Sequence, residues 1–263
     1  MTATPRLARQ DTQLNPNALH ESLSAKKGPK NIPKQIITST KQTESPPKDP
    51  GYPYANTTNI SFKYYNQRKS NAPFGYSHFI SLPPSYNSNT KTLWPLILFL
   101  HGAGQSQRGT NESYASLRHG IPKVILCYDK LKSGNSSPSI NIPLAPRLRS
   151  KSRQTKYGDD MSDEPVDAEV CTTLAENFIT VTPSLNMDYG YGWNASILSA
   201  LLDEIVERYH VDVDRIHVTG FSMGGYGTWD LGLYSPDRFA TLMPICGGGD
   251  PVRASLIAHV PQW

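Results

Sequence analysis

The stretch Arg215-Ile216-His217-Val218-Thr219-Gly220-Phe221-Ser222-Met223-Gly224-Gly225-Tyr226-Gly227 decides how this chain is read. Its first half, Arg215 to Phe221, carries the β-branched and apolar residues of a strand. It runs straight into Gly220-Phe221-Ser222-Met223-Gly224, a G-x-S-x-G pattern, and a helix is expected to follow Ser222. A turn that sharp strains the serine backbone, and it crowds the positions two residues away until only hydrogen fits there. Gly220 and Gly224 meet that demand. The result is a hydroxyl held at the C-terminal edge of a sheet, beside a helix N-terminus that favours developing negative charge. Ser222 is therefore the candidate nucleophile.

Upstream, Pro95-Leu96-Ile97-Leu98-Phe99-Leu100 is apolar on both faces, as suits a central parallel strand covered by helices on each side. It ends in His101-Gly102-Ala103-Gly104, a Gly-rich loop able to present a backbone N–H towards Ser222. With the N–H of Met223, that of Ala103 would form an oxyanion hole, in which one donor contributes about 3 kcal/mol of transition-state stabilisation. Taken alone, His101-Gly102 reads as an ordinary tight turn; the strand context and the later elbow give it meaning. Further strands are expected at Ile60 to Tyr65, Phe74 to Leu82, Phe178 to Val181 and Phe239 to Cys246. Between the last two, Ile197, Leu198, Leu201, Leu202, Ile205, Val206 and Tyr209 share one helical face. Strand, helix, strand, helix, strand defines the α/β class, with a mostly parallel sheet flanked by helices.

The chain has 263 residues and a net charge of +4. Residues 1–50 hold eight Lys and Arg against four Asp and Glu, so the remaining 213 residues are balanced at 18 of each. A nucleic-acid-binding globular domain is not expected from that balance. The longest apolar run, Leu96 to Leu100, is far below the roughly 20 residues of a membrane span. Residues 1–58, rich in Pro, Ser, Thr and Lys, are expected to be a disordered tail, with the α/β domain over 59–263. An inserted polar loop is expected at about 130–167, where a basic block (Arg147 to Lys156) precedes an acidic one (Asp159 to Asp167). Met1 to Gln10 shows no apolar run of the kind a secretory signal needs, and a cytoplasmic location is the default expectation. Three cysteines do not make a disulfide scaffold; Cys127 and Cys171 bracket the insertion and are expected as reduced thiols. No metal-ligand spacing is visible, and no cofactor is implied.

The combination resembles the α/β-hydrolases, specifically the phospholipase/carboxylesterase and dienelactone-hydrolase-like esterases. The matching stretches are Trp94 to Gly104, Val211 to Arg215, the elbow continued through Gly225-Tyr226-Gly227-Thr228-Trp229-Asp230, and Pro244-Ile245-Cys246-Gly247-Gly248-Gly249-Asp250-Pro251. The resemblance covers most of residues 75–263 outside the insertion. It implies Ser222 as nucleophile, Ala103 and Met223 as oxyanion donors, and Gly102, Gly104, Gly220 and Gly224 as the glycines of loop and elbow. It implies a small-molecule carboxylic ester as substrate, cleaved through an acyl-enzyme. His101 in such loops braces the turn and is not the base. Trp193 is a candidate for the substrate pocket, against simple packing; Tyr226 and Trp229 are expected to pack their helix against the sheet.

In this fold the triad order is Ser, then Asp or Glu, then His. Only 41 residues follow Ser222, and Val260-Pro261-Gln262-Trp263 reads like the opening of a next strand. His259 comes too early for the catalytic loop, and Asp250 has no evident base to orient. The expectation is a domain lacking its last strands together with the catalytic Asp and His, weakly stable and of little esterase activity by itself. Two rivals stand beside the esterase reading. One is a peptidase of the prolyl-oligopeptidase type; the other is a truncated, non-catalytic hydrolase fold serving as a binding protein or surviving as a relic.

Overall fold

The computed structural model describes residues 65–71, 75–107, 113–140, 142, 164–187 and 192–263. The expected tail over 1–58 and most of the expected insertion lie outside the described residues. Six strands form one sheet: β1 (Asn66–Arg68), β2 (Ser77–Ser81), β3 (Trp94–Leu100), β4 (Ile179–Ser184), β5 (Val211–Phe221) and β6 (Thr241–Ile245). Their spatial order is β1-β2-β4-β3-β5-β6. The β1–β2 and β2–β4 pairs are antiparallel, whereas β3–β4, β3–β5 and β5–β6 are parallel.

The apolar run Leu96 to Leu100 is buried along its whole length because β3 sits between β4 and β5 with helices on both faces. On one face Leu96, Leu98 and Leu100 pack with α4 (Ala195–Arg208), through Leu198, Leu201, Leu202 and Ile205, and with α5 (Met223–Tyr234), through Leu231. On the other, Phe79 joins a second apolar cluster with Leu117, Ile125 of α1 (Ile121–Leu126) and Cys171 of α3 (Ala168–Asn177). A short α2 (Tyr128–Lys132) follows α1, so the stretch expected as loop from residue 130 is still helical to Lys132. At its far end, Asp167 caps α3 by accepting a hydrogen bond from the Val170 N–H at 2.8 Å.

The strand expected at Ile60 to Tyr65 lies outside the described residues except for Tyr65, a buried residue before β1 whose hydroxyl meets Thr180 Oγ1 at 2.9 Å. Other expected bounds shift: β5 starts at Val211, four residues before Arg215, and β6 is trimmed to Thr241–Ile245. β4 extends to Ser184, three residues past the expected end, because β2 pairs along its whole length. The helix inferred from the leucine and isoleucine spacing is α4. Its cap is Asn194, whose side chain accepts from the N–H groups of Ser196 and Ile197. At the far edge of the sheet, β6 receives the segment read as a strand opening. The Leu242 N–H donates to Pro261 O at 3.0 Å and the Trp263 N–H to Leu242 O at 3.2 Å, in parallel register.

Candidate active site

Ser222 sits between β5 and α5 with φ 53° and ψ −119°, one of two non-glycine residues with positive φ among the described residues. A side chain there costs about 1–3 kcal/mol, which the surroundings must hold in place. They do so through its N–H, which donates to Ile245 O at 2.8 Å, and its carbonyl, which accepts from the Tyr226 N–H at 3.1 Å. The glycines explain why the turn closes. A Cβ on Gly220 would lie 2.5 Å from Gly224 O and 2.6 Å from Leu100 O, and one on Gly224 would overlap the Leu100 carbonyl. Gly225, not singled out from the sequence, is equally constrained, 2.6 Å from Ile245 O. The Gly-Gly doublet after the serine is the signal that could have found it.

Ser222 holds the N-cap position of α5, yet its side chain makes no capping bond, and its hydroxyl has no partner among the described residues. A Ser at that position ordinarily spends its oxygen on the N2 or N3 amide. Here the turn geometry directs the hydroxyl away from the helix, which leaves the orphan amides of the first turn open to an anion.

Beyond β3, Ala103 opens a 3-10 turn (Ala103–Gln105) closed by the Gln105 N–H on Gly102 O at 3.1 Å. The amides of Ala103 and Met223 donate to no protein acceptor among the described residues, and both residues line the same cleft as Ser222. Gly102 has no room for a side chain, since a Cβ would meet Phe221 Cε2 at 2.9 Å. Gly104 has nothing within 4 Å, so no packing requires a glycine there.

His101 is fully buried. Its Nδ1 donates to Gly102 O at 2.8 Å and its Nε2 accepts from the Leu185 N–H at 3.1 Å, which sets the neutral tautomer and occupies both nitrogens. Burial pushes its pKa down to about 4. The ring thus ties the Gly102–Gln105 loop to the end of β4, a bracing position with no free nitrogen for proton transfer.

The cleft has a volume of about 390 Å³. Beside Ser222, Ala103 and Met223 its walls are formed by Met187, Trp193, Tyr226 and Asp230. Trp193 does both things considered for it. Its Nε1 donates to His101 O at 3.2 Å and its ring stands edge-on to His101 at 4.8 Å, yet a margin of the indole reaches the cleft. Gly227 lets the helix press onto that ring, 2.7 Å being all that would separate a Cβ there from Trp193 Cδ1. Tyr226, expected to pack against the sheet, is instead 55% exposed on the cleft wall. The helix turns its small residues Gly224, Gly225 and Gly227 inward, so Tyr226 faces out. Trp229 does pack inward, against the core, with its Nε1 donating to Gly247 O at 3.3 Å. By sequence, substrate contact is the weaker alternative for Tyr226 and Asp230 is not singled out, although positions 223, 226 and 230 share one helical face running away from the serine.

No histidine lines the cleft among the described residues. His259 pairs with Asp237 at 3.2 Å, near the start of β6 and therefore at the opposite end of the sheet from Ser222. Asp250 spends a carboxylate oxygen on the Val252 N–H at 3.0 Å. His217 is bonded to Thr241 Oγ1 at 2.9 Å. Groups of metal-ligating side chains are absent among the described residues. No described helix is long and apolar enough to cross a membrane.

No family model matches this chain, and no curated protein matches it. Among solved structures it is similar to a thermostable esterase, at 20% identity and a TM-score of 0.51, over 77% of this chain and 46% of that one. Looser likenesses include the feruloyl esterase module from Clostridium thermocellum (16% identity, TM-score 0.42, 74% of this chain and 59% of that one). Another is FphF, a fluorophosphonate-binding serine hydrolase of Staphylococcus aureus (17% identity, TM-score 0.40, 70% and 56%). The sheet, its flanking helices and the first of these likenesses define the fold as that of an α/β-hydrolase. The chain spans about half the length of the esterase whose fold it shares.

Proposed function

We propose that this chain carries the nucleophile and oxyanion hole of a carboxylic ester hydrolase. One observation supports it above the rest: a strained serine lines a cleft together with Ala103 and Met223, and its hydroxyl and their two amides have no protein partner among the described residues. In this reading Ser222 Oγ attacks the ester carbonyl carbon and its proton passes to a base. The carbonyl oxygen, now negative, takes hydrogen bonds from the two amides, each contributing about 3 kcal/mol. Collapse of the tetrahedral intermediate breaks the C–O bond to the alcohol, which leaves with the proton. Water then releases the acid from the acyl-serine by the same steps in reverse.

No described histidine lines the cleft to act as that base. Serine hydrolases deprived of one triad member keep roughly 10³–10⁴-fold of catalysis over water through the oxyanion hole and binding alone. The 263-residue chain should therefore react slowly at Ser222. A fluorophosphonate probe should label that residue, identified by peptide mass spectrometry; Ser222→Ala should abolish the label, and added imidazole should accelerate it. One competing reading is a binding protein built on the same fold. Label scattered over other residues, or unchanged in Ser222→Ala, would refute the esterase proposal and leave that one.

A further inference from the structure

The cleft at Ser222 has an electrostatic character that the chemistry of ester cleavage does not require. Among the described residues its only charged wall residue is Asp230. That carboxylate is exposed and makes no ion pair or hydrogen bond among the described residues. Three other acids are paired, Asp203 with Arg238 at 2.7 Å, Asp212 with Arg215 at 2.7 Å and Glu204 with Arg208 at 2.8 Å, whereas Asp230, like Glu207 and Asp214, keeps its charge for solvent or a ligand. Asp230 lies one turn beyond Tyr226 on α5, whose ring is 55% exposed on the same wall, and the indole margin of Trp193 completes the surface. A carboxylate one helical turn from an exposed tyrosine ring attracts a cation by its charge, and the face of that ring adds a weaker attraction, while the Trp193 margin offers apolar contact to an alkyl chain. It repels an anion, and among the described residues no Lys or Arg lines the cleft to offset it.

Taking the cleft as the substrate site of the proposed esterase, we infer that it selects esters bearing a positively charged amine, held by Asp230 and Tyr226. The distance to the scissile bond follows from the helix. Met223 provides an oxyanion amide and Asp230 lies seven residues further along α5, so the cation sits about 10 Å from the reacting carbonyl. That is the reach of a straight chain such as an 8-aminooctanoyl group. Esters with a carboxylate or phosphate at that distance are disfavoured by the same geometry.

The test does not need turnover. Ser222→Ala removes the hydroxyl and keeps the wall, so ligand binding to it reports on the cleft alone. Octylammonium, 1-octanol and octanoate can be titrated against the Ser222→Ala chain with ligand-observed NMR. Octylammonium should bind about tenfold more tightly than 1-octanol, and octanoate more weakly than either. Adding Asp230→Asn should bring octylammonium to within about threefold of 1-octanol, and Asp230→Lys should turn the preference towards octanoate. Equal affinities for octylammonium and 1-octanol, or a preference that survives Asp230→Lys, would overturn the inference. Neither outcome depends on whether Ser222 reacts with a fluorophosphonate. A cleft that prefers the amine while its serine stays unlabelled would refute the esterase reading and keep the cation site.

Discussion

Acid should loosen this domain through its buried histidines, and the share of one of them, His101, can be isolated. His101 is neutral in the fold because Leu185 presents an N–H to its Nε2 and no acidic group offsets its burial. Protonation would set two N–H groups against each other at 3.1 Å. Its pKa falls from 6.5 to about 4, so the unfolded chain takes up this proton more readily than the folded one. Stability from the neutral ring is complete above pH 6.5, is lost as pH falls towards 4, and changes no further below that. The total is about 3 kcal/mol, from about 1.4 kcal/mol per pKa unit. Urea unfolding followed by tryptophan fluorescence between pH 7 and pH 4 measures it. The comparison is with His101→Gln, which cannot titrate. His78 and His119 also have pKa values pushed down to about 4, but they are present in both proteins and cancel. The stability gap between the two should narrow by about 3 kcal/mol on acidification. Parallel curves would refute the assignment. Should the variant not fold, NMR titration of the native ring decides: the His101 signal must stay unmoved until pH approaches 4.

The glycines of the elbow and the loop should differ sharply in tolerance. Gly224→Ala should cost at least about 3 kcal/mol in thermal or urea unfolding, because its methyl would overlap the Leu100 carbonyl. Gly104→Ala should stay within about 0.5 kcal/mol, with nothing near the new methyl. The three thiols should also separate. Burial raises the pKa of Cys127 and carries that of Cys171 up to about 11, whereas Cys246 is exposed. Iodoacetamide should therefore modify Cys246 alone in the folded protein and all three in denaturant, as read by mass spectrometry.

Much of the fold could be read directly because its signals are local. A strand buried on both faces must be apolar throughout, which is why Leu96 to Leu100 announced the centre of a parallel sheet. A helix packed by one face repeats its leucines at helical spacing, and α4 was plain for that reason. The elbow was legible because the steric demand on Gly220 and Gly224 lies within five residues of chain. Where sequence reading slipped, the cause was a partner far away in the chain. β4 ran longer than expected because β2 lies beside it along its whole length.

Sequence by itself determined the α/β class, the serine at the turn and the loop that faces it. Each of these follows from short-range sterics and from periodicity, which a chain carries wherever it folds. Only the tertiary structure decided that His101 spends both nitrogens on bracing, that His259 lies at the wrong end of the sheet, and that Tyr226 and Asp230 form a wall. Those facts depend on which side chains meet across the sheet and along α5. Sequence spacing cannot supply them, because contact between distant segments is set by packing and not by position in the chain.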